Sequence, residues 1–156
     1  MQPVVADKES QKRVKPSASL LAKPEFADFR ALRLSDLLRV NPNKLGAGLG
    51  DRAAALYYEW IWNSVASNKP WDQFAREVIL AQGSAFADGP ANFYRSSNSP
   101  QELAETTAQA FLGVRIHCAK CHNHPYETWT QNQYYELAGF FCRLKLKPGE
   151  RKGDTG

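Results

Sequence analysis

The sequence has no long apolar segment, one methionine, and no histidine outside a single short stretch. No run approaches the roughly 18 apolar residues of a membrane-spanning helix, which predicts no membrane span in this segment. Met1 is the only methionine, and a terminal methionine is a poor metal ligand. The start of the chain also lacks the charged-then-apolar pattern of a signal peptide. The simplest expectation is a mature or excised segment whose signal peptide was removed or lay outside it.

A basic stripe on a folded segment is also lacking, although the formal net charge is +4. Residues 1–24 carry five Lys or Arg and two acidic residues, and residues 143–156 carry the same numbers. The remaining residues, 25–142, hold ten basic and twelve acidic side chains. Because the basic surplus lies in the two ends, the sequence predicts solvated tails and no nucleic-acid partner.

Strand-like alternation and internal repeats are missing as well, so the predicted class is all-α. About five helices are expected, packed around one cofactor, with disordered or linker-like tails at both ends. The predicted organisation is a tail over 1–23, a domain over 24–144 and a basic tail over 145–156. Apolar spacing and capping signals place the helices from Pro24 to Asn41, from near Asp51, from Pro70 to Gly83, from Pro100 and from near Thr130.

A 17-residue stretch from Gly83 to Ser99 separates the third and fourth predicted helices. Structureless loops of this length are uncommon in compact domains unless they have a function. Its aromatic residues Phe86, Phe93 and Tyr94 predict either a cover over one face of a cofactor or a surface excursion held by its own side chains.

The run CAKCHNHPYETW, from Cys118 to Trp129, carries the most specific signal. Cys118 and Cys121 are three residues apart and His122 is four from Cys118, so a helix would place all three on one face. Two thiols on one face can add to the two vinyl groups of a haem, with the imidazole beneath the iron. C-x-x-C-H is the attachment signature of c-type haem.

Two other chemistries use the same residue types. A structural zinc site needs four ligands, and beyond the cysteine pair these would come from His117, His122, His124 or Cys142. A second paired cluster of the usual kind is missing, however. A redox dithiol typically accompanies a βαβ pattern, and no strand is predicted here. The spacing therefore favours haem over zinc and over a dithiol.

The remaining histidines and the third cysteine have plainer interpretations. His117 precedes the first cysteine and is expected at the surface or at a pocket rim. His124 cannot easily share an iron with His122, so it is expected to bind a haem propionate, a helix end or the local turn. Cys142 is expected to be a small buried apolar residue.

Two longer segments resemble the planctomycete-type cytochrome c-like domain family. They are NKPWDQFAREVILAQGSAFADGPANFYR and ELAETTAQAFLGVRIHCAKCHNHPYETWTQNQYYELAGFF, and the upstream FADFRALRLSDLLRV is similar too. The resemblance covers roughly residues 24–143, and its most specific part is the C-x-x-C-H-x-H-P core. Members occur within large exported multidomain proteins of largely unknown function.

The resemblance implies haem attachment at Cys118 and Cys121, with His122 as the iron ligand. It also implies a periplasmic or cell-envelope location and flanking domains in a longer chain. Family members often have a small residue in place of Cys142 and a polar, non-ligating residue in place of His117, so neither position inherits a role.

The leading prediction is therefore a monohaem c-type cytochrome domain with one covalent haem c, an electron carrier with an unidentified redox partner protein. Tyr126, Trp129, Phe93 and Tyr94 are predicted to line the haem pocket, and no catalytic residue is assigned. With no second ligand in view, the iron is either open on its far side or bound by Lys, Tyr, Cys142 or a partner's residue. An open site predicts a haem enzyme or a gas-binding domain, and a zinc-stabilised interaction module is the third alternative.

Overall fold

The computed structural model describes residues 12–45, 50–97 and 99–146, and these ranges contain helices and turns without a β-strand. This confirms the all-α prediction. None of the described helices is long and apolar enough to cross a membrane. The α-helices are α1 (Val14–Leu21), α2 (Pro24–Leu37), α3 (Gly50–Ala66), α4 (Trp71–Ile79), α5 (Pro100–Thr107) and α6 (Gln131–Gly139). Between them lie two 3-10 helices, Gly89–Arg95 and His117–Lys120, and a π-helical turn, Ala108–Leu112.

The main core forms where α2 crosses α3 and where the first 3-10 helix packs on α3. Pro24 occupies the first turn of α2, where its missing N–H costs no hydrogen bond. Four apolar residues recur at helical spacing along α2 and its C-terminal cap, and all are buried: Ala27, Ala31, Leu34 and Leu38. This apolar stripe therefore directs α2 into the core, as its helical spacing predicts.

Capping side chains fix the starts of the two helices that flank the candidate site. The Ser99 hydroxyl accepts a hydrogen bond from the Glu102 amide, and Pro100 follows at the first helical position of α5. At α6, Thr130 and Gln133 form a reciprocal capping box. Both starts agree with the sequence prediction, because capping residues satisfy amides that the helix itself leaves free.

The ends of the chain differ from the predicted tails in one respect. Residues 14–21, within the predicted tail, form α1, and none of its residues is buried. Residues 1–11 and 147–156 lie outside the described residues, so the tails predicted there stay predictions.

The stretch from Gly83 to Ser99 is neither structureless nor a surface excursion. Its centre is the 3-10 helix Gly89–Arg95, which buries Phe93 completely in the main core. Predicted α4 is also shorter than expected, ending at Ile79, and Trp71 is exposed although its ring stacks on Phe74 at 5.0 Å. The predicted end of α4 at Gly83 is therefore wrong, because the chain leaves the helix at Leu80 and then packs the 3-10 helix on α3.

Candidate functional site

The cysteine pair lies on a short turn between α5 and α6, called here the motif turn (residues 117–122). After the π-helical turn that follows α5, Gly113 adopts a left-handed conformation with φ 70° and ends the helical run. A glycine takes this conformation without the steric cost that a Cβ would bring. The chain then forms the 3-10 helix His117–Lys120. The prediction of an α-helix at the motif is therefore wrong, and the motif occupies a tighter turn.

The tighter turn still keeps the three predicted ligand residues within one backbone turn. The Cys121 and His122 amides lie 3.4 and 3.5 Å from the Cys118 carbonyl oxygen, so the chain folds back on the first cysteine. Both thiols are free and exposed, as is the His122 imidazole. The motif thus presents two nucleophilic sulfurs and one imidazole at the surface.

One hydrogen bond defines which nitrogen of His122 is available. Its Nδ1 lies 2.7 Å from the backbone carbonyl oxygen of Asn123. Because a carbonyl only accepts, Nδ1 carries the proton, and the neutral ring leaves Nε2 with its lone pair. Metal-ligating histidines commonly donate one ring N–H to such an acceptor while the other nitrogen binds the metal.

Helix α6 anchors the second half of the motif turn. The Gln131 side-chain amide and the Tyr135 hydroxyl both donate to the Lys120 carbonyl oxygen, at 3.1 and 3.2 Å. The Gln131 backbone N–H donates to the Asn123 side-chain oxygen at 3.0 Å. These bonds place the end of the turn at the N-terminus of α6.

Helix α5 anchors the first half through Glu105. The same carboxylate oxygen, Oε1, accepts from the Tyr134 hydroxyl at 2.7 Å and lies 3.0 Å from Nδ1 of His117. Tyr134 is fully buried. Burial raises the pKa of Tyr134, and the hydrogen bond to Glu105 and its negative charge raise it further. The phenol therefore stays protonated and donates to Glu105.

The segment after the motif turn closes on itself through His124. Its Nδ1 accepts from the backbone amides of Tyr126 and Glu127, and its own amide donates to the Trp129 carbonyl at 2.8 Å. This arrangement is the turn cap that was one of the expectations for His124. Trp129 packs, half-buried, against a small second cluster beneath the motif turn: Ala108, Ile116, Ala119 and Tyr134.

The four residues predicted to line a haem pocket lie in different parts of the fold. Trp129 lies beside the motif turn, whereas the Tyr126 side chain is 93% exposed. Phe93 belongs to the main core, with Tyr94 packed edge-on against it at 5.3 Å. The Tyr94 hydroxyl donates to the Ile79 carbonyl, and its ring lines a cleft of about 420 Å³ on the α4 side of the molecule. The structure thus packs Trp129 against the cluster that includes Ala119 of the motif turn, and it assigns Phe93 to the main core.

The predicted exposure is correct for His117 and wrong for Cys142. His117 is largely exposed, in line with the surface expectation, yet it has a definite partner in Glu105. Cys142 is exposed, and its thiol lies 3.6 Å from the Ala138 carbonyl oxygen. The expectation of a buried Cys142 is wrong, because the residue lies just beyond the end of α6, where the chain leaves the core.

The motif turn carries the residue types that a c-type haem would require. Among the described residues, no group of three or more His, Cys, Asp or Glu side chains is arranged to hold a metal ion. A c-type haem needs only two accessible thiols and one axial imidazole from such a motif. Cys118, Cys121 and His122 meet that requirement through their exposure and through the free Nε2 of His122.

Glu105, Asn123 and Gln131 are site residues that the sequence analysis did not identify. Asn123 and Gln131 orient the histidine and the turn, and Glu105 reaches His117 across twelve positions of the chain. The reversal at Gly113 brings Glu105 to His117. No local spacing rule relates these two residues, so a sequence pattern could not have found the pair.

Comparison with known proteins gives a family match. No curated protein and no solved structure matches the chain. A family model described as PSCyt2, protein of unknown function (DUF1549), matches residues 1–145, which is most of the chain. The match confirms the family that the sequence resembles and says nothing about a haem. The chain belongs to the PSCyt2 family of proteins of unknown function.

Proposed function

We propose that this domain carries one covalently attached haem c and transfers electrons. The observation that carries the proposal is the exposed pair of free thiols, Cys118 and Cys121, followed by an imidazole whose Nε2 is free. Two thiols and one imidazole in a C-x-x-C-H spacing form the attachment signature of c-type haem.

The two thiols would form the covalent link. Each thiol adds across one vinyl group, so that its sulfur forms a C–S bond and its hydrogen goes to the other vinyl carbon. The addition needs no oxidant, but it does need both sulfurs reduced and accessible. Cys118 and Cys121 are both free and exposed, which meets these requirements.

His122 would supply the axial nitrogen, and the bound iron would supply one-electron chemistry. The Asn123 carbonyl holds a proton on Nδ1, so Nε2 is the ring nitrogen left to bind the iron. The strength of that hydrogen bond also adjusts the basicity of the ring and hence the reduction potential.

The proposed setting follows from the proposed cofactor. The resemblance to exported multidomain proteins supports a periplasmic or cell-envelope location and flanking domains in a longer chain. An electron carrier also needs a redox partner protein. The exposed motif turn is the surface at which such a partner would approach.

Production of the full chain together with a c-type haem attachment system tests the proposal. We expect intact-mass spectrometry to show the polypeptide plus one haem, and the colour to remain with the denatured protein. The variant with Cys118→Ser and Cys121→Ser should lose the added mass. Cys142→Ser is the matched control, because it removes the third thiol and should leave the haem in place.

A second pair of measurements tests the ligand and the activity. His122→Ala should change the visible spectrum, and an unchanged spectrum would remove His122 from the proposal. Carbon monoxide added to the reduced protein separates simple electron transfer from a gas-binding or enzymatic site. An immediate shift of the Soret band would favour the open site. A bare polypeptide from the wild-type chain would refute haem binding itself.

A further inference from the structure

We propose that Glu105 is a positioning residue that holds the Cys118–Cys121 pair in one conformation before any cofactor is attached. The biological meaning of this inference rests on the proposed haem function, but its geometry does not. Glu105 touches neither cysteine. It acts through His117, the residue directly before Cys118, and through Tyr134 of α6.

The Glu105 carboxylate is itself well fixed. Its side chain is only 12% exposed, and a single oxygen serves both partners. The Tyr134 hydroxyl donates from a fully buried position, so one of the two contacts is shielded from water. Hydrogen bonds to a charged acceptor in such surroundings are stronger than those between neutral groups. The position of the carboxylate is therefore restricted, and its hydrogen bond restricts the more exposed His117 in turn.

Each of the two anchors of the motif turn lies directly before one of the two cysteines. Glu105 holds His117 at the start of the 3-10 helix, and α6 holds the Lys120 carbonyl at its end. Cys118 lies directly after the first anchor and Cys121 directly after the second. Holding both anchors restricts the backbone that carries the two sulfurs, while both side chains remain exposed.

The same carboxylate also joins the two helices that supply the anchors. Because Tyr134 lies in α6 and Glu105 in α5, their hydrogen bond links both supports of the turn into one unit. A pair of reactive groups that is already restricted before reaction loses less conformational freedom when it reacts. Glu105 should therefore raise the effective concentration of one sulfur near the other.

The test uses the full chain without haem, in a Cys142→Ser background that leaves only the pair. Equilibration with reduced and oxidised glutathione measures disulfide formation, in which Cys118 and Cys121 lose two electrons and two protons and glutathione disulfide gains them. We expect Glu105→Ala and His117→Ala each to lower this formation constant fivefold to tenfold, or about 20–30 mV in reduction potential. Glu105→Gln should remain within about twofold of the parent, because it keeps an oxygen acceptor.

Glu127→Ala is the matched control, since it removes an exposed carboxylate near the motif whose side chain is not part of this network. It should leave the formation constant unchanged. Should Glu105→Ala fail to fold by circular dichroism, His117→Ala decides, because its side chain is 76% exposed. Constants equal to the parent's, or higher, in His117→Ala overturn the proposal. A wild-type chain that takes up no haem would refute the proposed function and leave this result intact.

Discussion

At the scale of single residues, three histidines within eight positions have three different roles because their Nδ1 atoms meet different partners. Nδ1 of His122 faces a carbonyl and must carry a proton, whereas Nδ1 of His124 accepts two amides and cannot. Nδ1 of His117 faces a carboxylate and is held as a donor. Only His122 therefore combines a free Nε2 with a place directly after the cysteine pair, which is the arrangement that the proposed iron ligand needs.

A glycine in the 3-10 helix gives the first prediction at this scale. A Cβ on Gly89 would lie 2.8 Å from the Leu56 carbonyl oxygen and from Cβ of Trp60, closer than real contacts allow. Gly89→Ala should therefore lower the free energy of unfolding by about 1–3 kcal/mol, through displacement of the 3-10 helix from α3. Urea denaturation measures the change.

Gly139 in α6 provides the matched control, because a Cβ there meets nothing within 4 Å. Gly139→Ala should raise the free energy of unfolding by about 0.5–1 kcal/mol, since alanine loses less conformational freedom in a helix than glycine does. Equal effects of the two substitutions would show that Gly89 is not required for this close approach.

At the scale of elements, helix starts are predictable from the sequence and the motif turn is not. Ser99 and Thr130 act within four residues of their own amides, so local chemistry determines where α5 and α6 begin. The motif turn depends on the bond that Glu105 accepts from His117 and on the bond that Gln131 donates to Lys120, and both partners are distant in sequence. A cysteine spacing of three is compatible with an α-helix and with a 3-10 turn alike, so the spacing could not predict which backbone conformation the motif adopts.

The capping box of α6 gives a prediction at this scale. The Thr130 hydroxyl accepts from the Gln133 amide, and the Gln133 side chain accepts from the Thr130 amide. Thr130→Ala should lower the free energy of unfolding by about 1 kcal/mol, because an amide of the first turn loses its partner. Thr130→Ser keeps the hydroxyl and should be close to wild type in thermal and urea unfolding. A serine variant as unstable as the alanine variant would assign the effect to the lost methyl group.

At the scale of the whole molecule, the candidate site stands on a small cluster beside the main core. Ile116, Ala119 and Tyr134 form that cluster with Ala108, and Leu137 of α6 packs against both clusters. Helical periodicity accounts for most of the buried residues of the main core, because each helix must bury its apolar stripe. It could not place Phe93 in that core, since the aromatic loop was equally compatible with covering a cofactor.

Two buried tyrosines, one in the main core and one in the small cluster, make the free energy of unfolding depend on pH at alkaline values. Burial raises the pKa of Tyr57 in the main core and of Tyr134 in the small cluster above the ordinary 10.0. A raised pKa in the folded state means that the stability contribution is fully present below about pH 10. Above that pH the unfolded chain loses these protons while the folded chain keeps them, so the free energy of unfolding falls.

The alkaline loss should be measurable residue by residue. Each such tyrosine contributes a slope of up to about 1.4 kcal/mol per pH unit above pH 10. Tyr134→Phe should therefore reduce the steepness of the alkaline decline in urea unfolding followed from about pH 8 to pH 11, besides its cost at neutral pH from the lost bond to Glu105. Tyr126→Phe is the matched control, because that side chain is 93% exposed in the fold and should leave the slope as it is. Identical slopes in wild type and Tyr134→Phe would mean that Glu105 and burial do not hold the Tyr134 proton, and the link between α5 and α6 would have to rest on apolar packing alone.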